Sequence, residues 1–450
     1  MVFQTFNPST QEALQSYEYH RLEVALRELE TFQTHQETWA RQSLETRASR
    51  LREVAERLLS RREELARQAS LEMGKPLSQA QAEVEKCARA LQTLADLGVK
   101  ALAPQEVAAH YRKTWLVPEP LGLILSVQPW NFPYWQLFRM AAGAWMAGNL
   151  VVLKHADLVA GCAQLIESVT NEGFDTHLIL NLRLTHDEAA QVLGASQVRA
   201  VTLTGSTQAG RKIAEIAGRH LKKCVLELGG SDAYLVAADC DLESTVKICV
   251  QARLINSGQS CIAGKRFFVE EKIFDRFREA FLNEMRKLRR GSPFDSSTQV
   301  GPLAASRFVD ALEAQIRKAQ SEGAQFFATA EREGNYSRQG LLDFGDNLTG
   351  FESEEIFGPV ALLYRVRDWD RVIQVLNHGP FGLGGGAFTT NLKWGHEMAR
   401  RLQVGTFVLN QFVQSDPRVP FGGTRDSGFG REMGSQGLFE FVSWKVVGEA

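Results

Sequence analysis

The sequence predicts an α/β fold whose parallel sheets are covered by helices on both faces. Three observations predict it. Short apolar runs of strand length recur from residue 121 onward, and stretches with helical periodicity separate them. Fully apolar strands alternating with helices belong to sheets buried on both sides. The chain has 450 residues, enough for two or three domains.

Residues 35–100 read as helices, because Leu51, Val54, Leu58 and Leu65 recur on one face with Arg and Glu between them. Met73-Gly74-Lys75-Pro76 interrupts that pattern, since glycine and proline end helices. Residues 107–120 are polar and β-prone, and read as a hairpin or an arm. Strand-like runs follow at 123–127, 150–153, 198–203 and 225–228, with helical stretches at 134–147, 158–172 and 207–219. The second half repeats the style at 233–237, 266–269, 360–364 and 407–410, so two α/β domains in series are expected. The glycine-dense 379-GPFGLGGG-386 reads as a tight loop beside a strand.

Bulk chemistry narrows the function. The 51 Lys and Arg residues nearly balance the 53 Asp and Glu residues, and no charged block stands out, which argues against a nucleic-acid partner. None of the six cysteines forms a CxxC pair, so a reducing cytoplasm is expected. No apolar run approaches the roughly 20 residues of a membrane span, and no secretory leader is visible. The nine histidines lack metal-ligand spacing, so no metal is expected.

Five segments carry candidate chemistry. Cys261 lies in 256-NSGQSCIAGKR-266, where flanking glycines and polar residues favour an accessible loop. A thiol there suits attack on a carbonyl, although a lone cysteine is more often a small core residue. Glu227 lies in an apolar run that ends in Gly-Gly. Burial raises a carboxylate toward the range a general base requires; the alternative is a structural carboxylate bonded to backbone N–H groups. Asn131, in 128-QPWNFPYWQLFR-139, stands between two prolines after a strand. It is either a rigid donor to an oxyanion or an Asx turn. Gly205 and Ser206 fall where a strand gives way to a helix, a place that suits a pyrophosphate or a plain helix cap. Lys154 ends a strand, on the edge where open α/β sheets bind ligands; a solvated lysine is the alternative.

Together these segments resemble the aldehyde dehydrogenase superfamily. The likeness runs in order through Asn-Pro-Ser-Thr at 7–10, Glu-Met-Gly-Lys-Pro at 72–76, Pro-Trp-Asn-Phe-Pro at 129–133, Thr-Gly-Ser at 204–206 and Glu-Leu-Gly-Gly at 227–230. It continues through Gly-Gln-Ser-Cys at 258–261, Glu-Ile-Phe-Gly-Pro-Val at 355–360 and Pro-Phe-Gly-Gly at 420–423. The resemblance implies Cys261 as nucleophile, Asn131 as oxyanion donor and Glu227 as the base that activates water. It implies Glu355 as ribose clamp with Phe357 behind it, Lys154 as adenosine-ribose ligand, and Trp130, Gly205 and Ser206 in the cofactor groove. It also implies a Rossmann-like cofactor domain (1–104 and 121–228), a catalytic domain (229–425) and a small β oligomerisation arm (105–120 and 438–450). A homo-dimer or homo-tetramer follows from the same likeness.

The nearest likeness is to the short bacterial succinate-semialdehyde dehydrogenases, carried by 151-VVLKHADLVAGCAQLI-166, 221-LKKCVLELGGSD-232 and 415-SDPRVPFGG-423. It implies Arg139 and Ser415 as ligands of a remote carboxylate, with an inter-domain salt bridge as the alternative for Arg139. Ile255 stands where many such enzymes carry a second arginine, and Ala263 where some carry a second cysteine. Asp157, three residues after Lys154, would bond a ribose 2′-hydroxyl and repel a 2′-phosphate, so NAD is expected to be preferred and NADP also admitted. Other readings are a different small aliphatic or aromatic aldehyde, a coenzyme A-acylating enzyme, and a non-catalytic descendant of the fold. The presence of Glu227 argues against the second, and the intact Cys261, Glu227 and Asn131 against the third.

Overall fold

The computed structural model describes residues 1–450. Two large sheets organise it. The first has six strands, and its five longer-range members are parallel in the spatial order Lys223–Glu227, Val198–Thr204, Leu123–Gln128, Leu150–His155, Ile179–Asn181. The short strand Gly428–Phe429 pairs antiparallel with Leu226 and Glu227 at one edge. The chain runs outward from Leu123–Gln128 in one direction, then crosses to the other side for Val198–Thr204. The order therefore reverses between these two strands, where open α/β sheets leave a ligand crevice at their carboxyl ends. Those ends lead directly into Trp130 and Asn131 on one side and Gly205 and Ser206 on the other.

The second sheet has seven strands in the order Gln325–Ala330, Gln339–Gly345, Val360–Val366, Gly264–Glu270, Asp232–Val236, Gly384–Phe388, Thr406–Leu409. All pair in parallel except the first. Side chains alternate between faces along a strand. Ala233 and Leu235 enter one buried cluster, while Tyr234 and Val236 enter the other. Both faces are thus dry, which explains why these strands read as continuous apolar runs.

Four helices, Leu22–Ala40, Leu44–Ser60, Arg62–Met73 and Leu77–Ala101, cover the first sheet. The first begins at Leu22, ahead of the stretch expected from periodicity, and is preceded by an antiparallel pair, Val2–Phe6 with Ala13–Glu18, that periodicity does not reveal. Gly74 stops the third helix with φ +76°, a conformation that favours glycine. The expected helix 207–219 matches Thr207–Arg219, capped by the Ser206 side chain accepting from the Ala209 N–H.

The segment 379–386 differs from its expected loop. Gly384–Phe388 is an interior strand of the second sheet. Its glycines are required by close approach: a Cβ on Gly384 would meet Asp232 Oδ2 at 2.4 Å, and one on Gly385 would meet the Ala233 carbonyl at 2.9 Å. Lys113–Pro120 pairs along its whole length with Val442–Glu449, and Gln105–Glu106 adds a third strand. Just before Val442–Glu449, Phe421, Met433, Leu438 and Phe441 return to the core of the first sheet. No helix is long and apolar enough to cross a membrane.

Candidate active site

Cys261 is delivered by an unusual turn. Asn256, Ser257 and Gly258 take positive φ in succession, at 52°, 56° and 78°. Such backbone costs free energy and persists only where surroundings fix it. Here they do: Ser257 Oγ accepts from the Gly301 N–H, Gln259 Oε1 from the Ala304 N–H, and Gln79 Oε1 from the Asn256 N–H. A Cβ on Gly258 would lie 2.3 Å from the Gly358 carbonyl, so the turn packs directly on the loop that carries Glu355 and Phe357. Two fully buried cations hold its carbonyls. Arg253 Nη2 donates to Gly258 O at 2.7 Å. Lys265 Nζ donates to Ser260 O at 2.8 Å and to Cys261 O at 2.5 Å.

Of the six cysteines, only Cys261 lines the main cavity, which has a volume of about 690 Å³. Burial pushes its thiol up to about 11, while Lys265 and Arg139 pull against that rise. At neutral pH that favours the thiol over the thiolate in the empty site. Asn131 is buried and bonded to the turn that precedes Cys261. Its Nδ2 donates to Gln259 O at 3.0 Å, and its own carbonyl accepts from Asn256 Nδ2 at 2.7 Å. An amide nitrogen has two protons, so the first bond aims the group and leaves the second N–H to donate.

Glu227 ends its strand at 2% exposure, and neither carboxylate oxygen has a hydrogen-bond partner. That combination is costly for a purely structural group. Burial raises its pKa well above the usual carboxylate range, and the nearby Glu432 adds to the rise, against Arg139. A carboxylate left unsatisfied and poised to hold a proton is what a general base requires.

The cofactor residues expected from sequence gather around the crevice. Trp130 stacks on Phe308 with ring centroids 4.6 Å apart and meets Phe357 edge-on at 5.9 Å. Glu355 accepts from the Gly230 N–H at 3.1 Å and lies 3.3 Å from Lys265 Nζ. One buried lysine thus ties the nucleophile turn to Glu355. Gly205 is open around its Cβ position, with nothing nearer than Leu203 at 3.5 Å. The Thr207 and Gln208 N–H groups at the adjacent helix start have no internal acceptor. These features fit a pyrophosphate with a ribose on either side. Lys154 is buried and donates to His155 O at 3.0 Å, with Asp157 Oδ1 at 3.3 Å. Asp157 Oδ2 also accepts from the Tyr19 hydroxyl at 2.6 Å.

The expected carboxylate ligands are differently engaged. Arg139 lines the cavity, but its Nε donates to Glu432, and both side chains are at most 2% exposed. Its Nη2 lies 3.4 Å from Thr204 Oγ1. Ser415 accepts from Lys86 Nζ at 2.7 Å, and both residues line the cavity. Lys86 and Glu432 escape sequence reasoning because each acts on a partner brought near only by the fold, and Arg253 and Lys265 because their acceptors are nearby backbone carbonyls that no side-chain pattern marks. Arg253 does not line the cavity and is spent on the Gly258 carbonyl of the Cys261 turn.

The model of the aldehyde dehydrogenase family matches residues 1–447. The chain belongs to the aldehyde dehydrogenase family. It is by that membership an NAD(P)-dependent oxidoreductase. Among its relatives in this family is a probable succinate-semialdehyde dehydrogenase [NADP(+)] of Synechocystis sp., 38% identical and covering 99% of each chain. Another is a succinate semialdehyde dehydrogenase [NAD(P)+] of Escherichia coli, 40% identical over 91% of this chain and 89% of that one. The crystal structure of succinic semialdehyde dehydrogenase from Streptococcus pyogenes in complex with NADP+ superposes with a TM-score of 0.95, at 33% identity and 99% coverage of both chains.

Proposed function

We propose that this chain oxidises succinate semialdehyde to succinate by covalent catalysis at Cys261. The observation that carries the reading is that one cavity holds Cys261 together with Arg139, Ser415 and Lys86, a thiol and cations facing the same space. The names of the relatives support it. Cys261 Sγ adds to the aldehyde carbon and its proton leaves to solvent, while the second Asn131 N–H and the Cys261 N–H receive the oxyanion. When bound, the oxidised dinucleotide supplies the acceptor for the hydride that leaves that carbon, and a thioester on Cys261 remains. Glu227 takes a proton from water, whose oxygen adds to the thioester carbon; the C–S bond breaks, the acid formed gives its proton to the Cys261 sulfur and leaves as the carboxylate, and Glu227 returns its proton to solvent.

Trp130, Lys154, Gly205, Ser206, Glu355 and Phe357 are the residues we assign to the dinucleotide. On the dinucleotide itself, the NAD preference expected from Asp157 receives no support from the relatives, whose names specify NADP(+) or NAD(P)+. Tyr19 and Lys154 each bond one oxygen of the Asp157 carboxylate, which partly offsets its charge and leaves lone pairs for a further donor. The reading that fits both facts is acceptance of NADP as well as NAD, with Asp157 setting the ratio. The strands Lys113–Pro120 and Val442–Glu449, which expose Trp444, Val446 and Val447, are assigned as an oligomerisation arm of a homo-dimer or homo-tetramer.

A second reading, a neutral small aldehyde as substrate, is favoured by the pairing of Arg139 with Glu432. Reduced-dinucleotide formation with succinate semialdehyde and with butanal, for wild type and Cys261→Ala, tests both. Selectivity for the semialdehyde and its loss in Cys261→Ala are expected. Equal use of both aldehydes overturns the substrate, and turnover that survives Cys261→Ala overturns the mechanism.

A further inference from the structure

Four cationic side chains line the cavity that holds Cys261: Lys86, Arg89, Arg139 and Lys247. Arg139 is neutralised by Glu432, and Lys247 pairs with Glu243 at 2.7 Å on an open surface. Arg89 is exposed to water. Ile255 stands at the wall where a further cation is expected. Lys86 remains: it is half-buried on helix Leu77–Ala101 and makes no ion pair. Its ammonium lies 4.0 Å from the ring centroid of Trp135 and donates to Ser415.

The direction of that hydrogen bond matters. Ser415 Oγ accepts from Lys86, so its own proton is free to donate, and no protein acceptor takes it. The ammonium keeps further N–H groups of its own. A cation and a hydroxyl side by side, each with a donor to spare, match the two oxygens of a carboxylate. We propose that Lys86, with Ser415, is the primary ligand of the remote carboxylate of the substrate, and that Arg139 is held by Glu432 in a supporting position. This rests on the substrate reading above and names the residue that enforces it. Burial lowers the Lys86 ammonium to about 8, with Arg139 acting in the same direction, and an arriving anion favours its charged form.

The test uses Lys86→Met, Lys86→Gln and Lys86→Arg, with steady-state kinetics on succinate semialdehyde and butanal. It adds calorimetric binding of succinate, and NADP binding as a control for folding. Loss of a charged hydrogen bond predicts a rise of about 10–100-fold in KM for the semialdehyde and in Kd for succinate in the Met and Gln variants. The ratio of kcat/KM for semialdehyde over butanal falls by the same factor, and Lys86→Arg recovers most of it. A wild type without selectivity for the semialdehyde would remove the substrate reading and this inference with it. A selective wild type whose ratio and succinate binding survive Lys86→Met and Lys86→Gln overturns the inference alone. So does a loss that falls equally on both aldehydes.

Discussion

Replacing Glu432 with Gln separates the two tasks that its charge performs. The side chain is 1% exposed, and its only hydrogen-bond partner is Arg139, itself 2% exposed. Glutamine keeps the shape and one acceptor but leaves the guanidinium without a counter-charge. Breaking a buried pair from one side costs about 3–5 kcal/mol, and the retained acceptor puts this case at the lower end. For a chain of this length melting as one unit, the unfolding entropy is about 0.9 kcal/mol per degree, so the melting temperature falls by about 3 °C. The second effect is on Glu227. Burial and the Glu432 charge raise its pKa, while Arg139 lowers it. With Glu432 neutral, Arg139 acts unopposed, and the pKa of Glu227 falls. A general base works deprotonated, so the acidic limb of the kcat profile moves to lower pH. The assay is differential scanning fluorimetry together with kcat measured from about pH 5 to pH 9. The double variant Arg139→Met/Glu432→Met removes both charges and should melt close to wild type. A Glu432→Gln variant that melts like wild type and keeps its acidic limb in place would refute the reasoning.

Other outcomes follow from the same geometry. Asn131→Ala should lower kcat by about 10²–10³-fold with little change in dinucleotide binding, as expected for one lost oxyanion donor. In the unliganded protein, alkylation of Cys261 by iodoacetamide should accelerate about tenfold per pH unit and level off only near 11, where the thiol ionises; mass spectrometry reports the rate. A plateau near neutrality would show that the turn activates the thiol unaided. Asp157→Ser should raise kcat/KM for NADP relative to NAD, and an unchanged ratio would place Asp157 away from the ribose.

Cys261, Glu227 and Asn131 were legible as candidates because each stands in a short local pattern: Gly-Gln-Ser-Cys, Glu-Leu-Gly-Gly and Pro-Trp-Asn-Phe-Pro. The parallel sheets were legible because strands buried on both faces leave uninterrupted apolar runs. Pairings across long separations were not. Arg139 meets Glu432 across 293 positions and Lys86 meets Ser415 across 329, and nothing local records either. Gly384–Phe388 misled for a different reason: its glycines serve close contact between strands, yet in sequence they look like a loop. The nucleophile turn hides its supports in the same way, since Arg253 and Lys265 are unremarkable cations until burial leaves them carbonyl oxygens to hold.

The return of the C-terminal segment to the first core bears on how the chain emerges during synthesis. Phe421, Met433, Leu438 and Phe441 complete a core whose other members mostly lie before residue 226, and Glu432 arrives with them. Domains usually fold from the N-terminus as they leave the ribosome. Here the first unit to be translated is the last to be finished, and Arg139 waits for its counter-charge until nearly the whole polypeptide has been made.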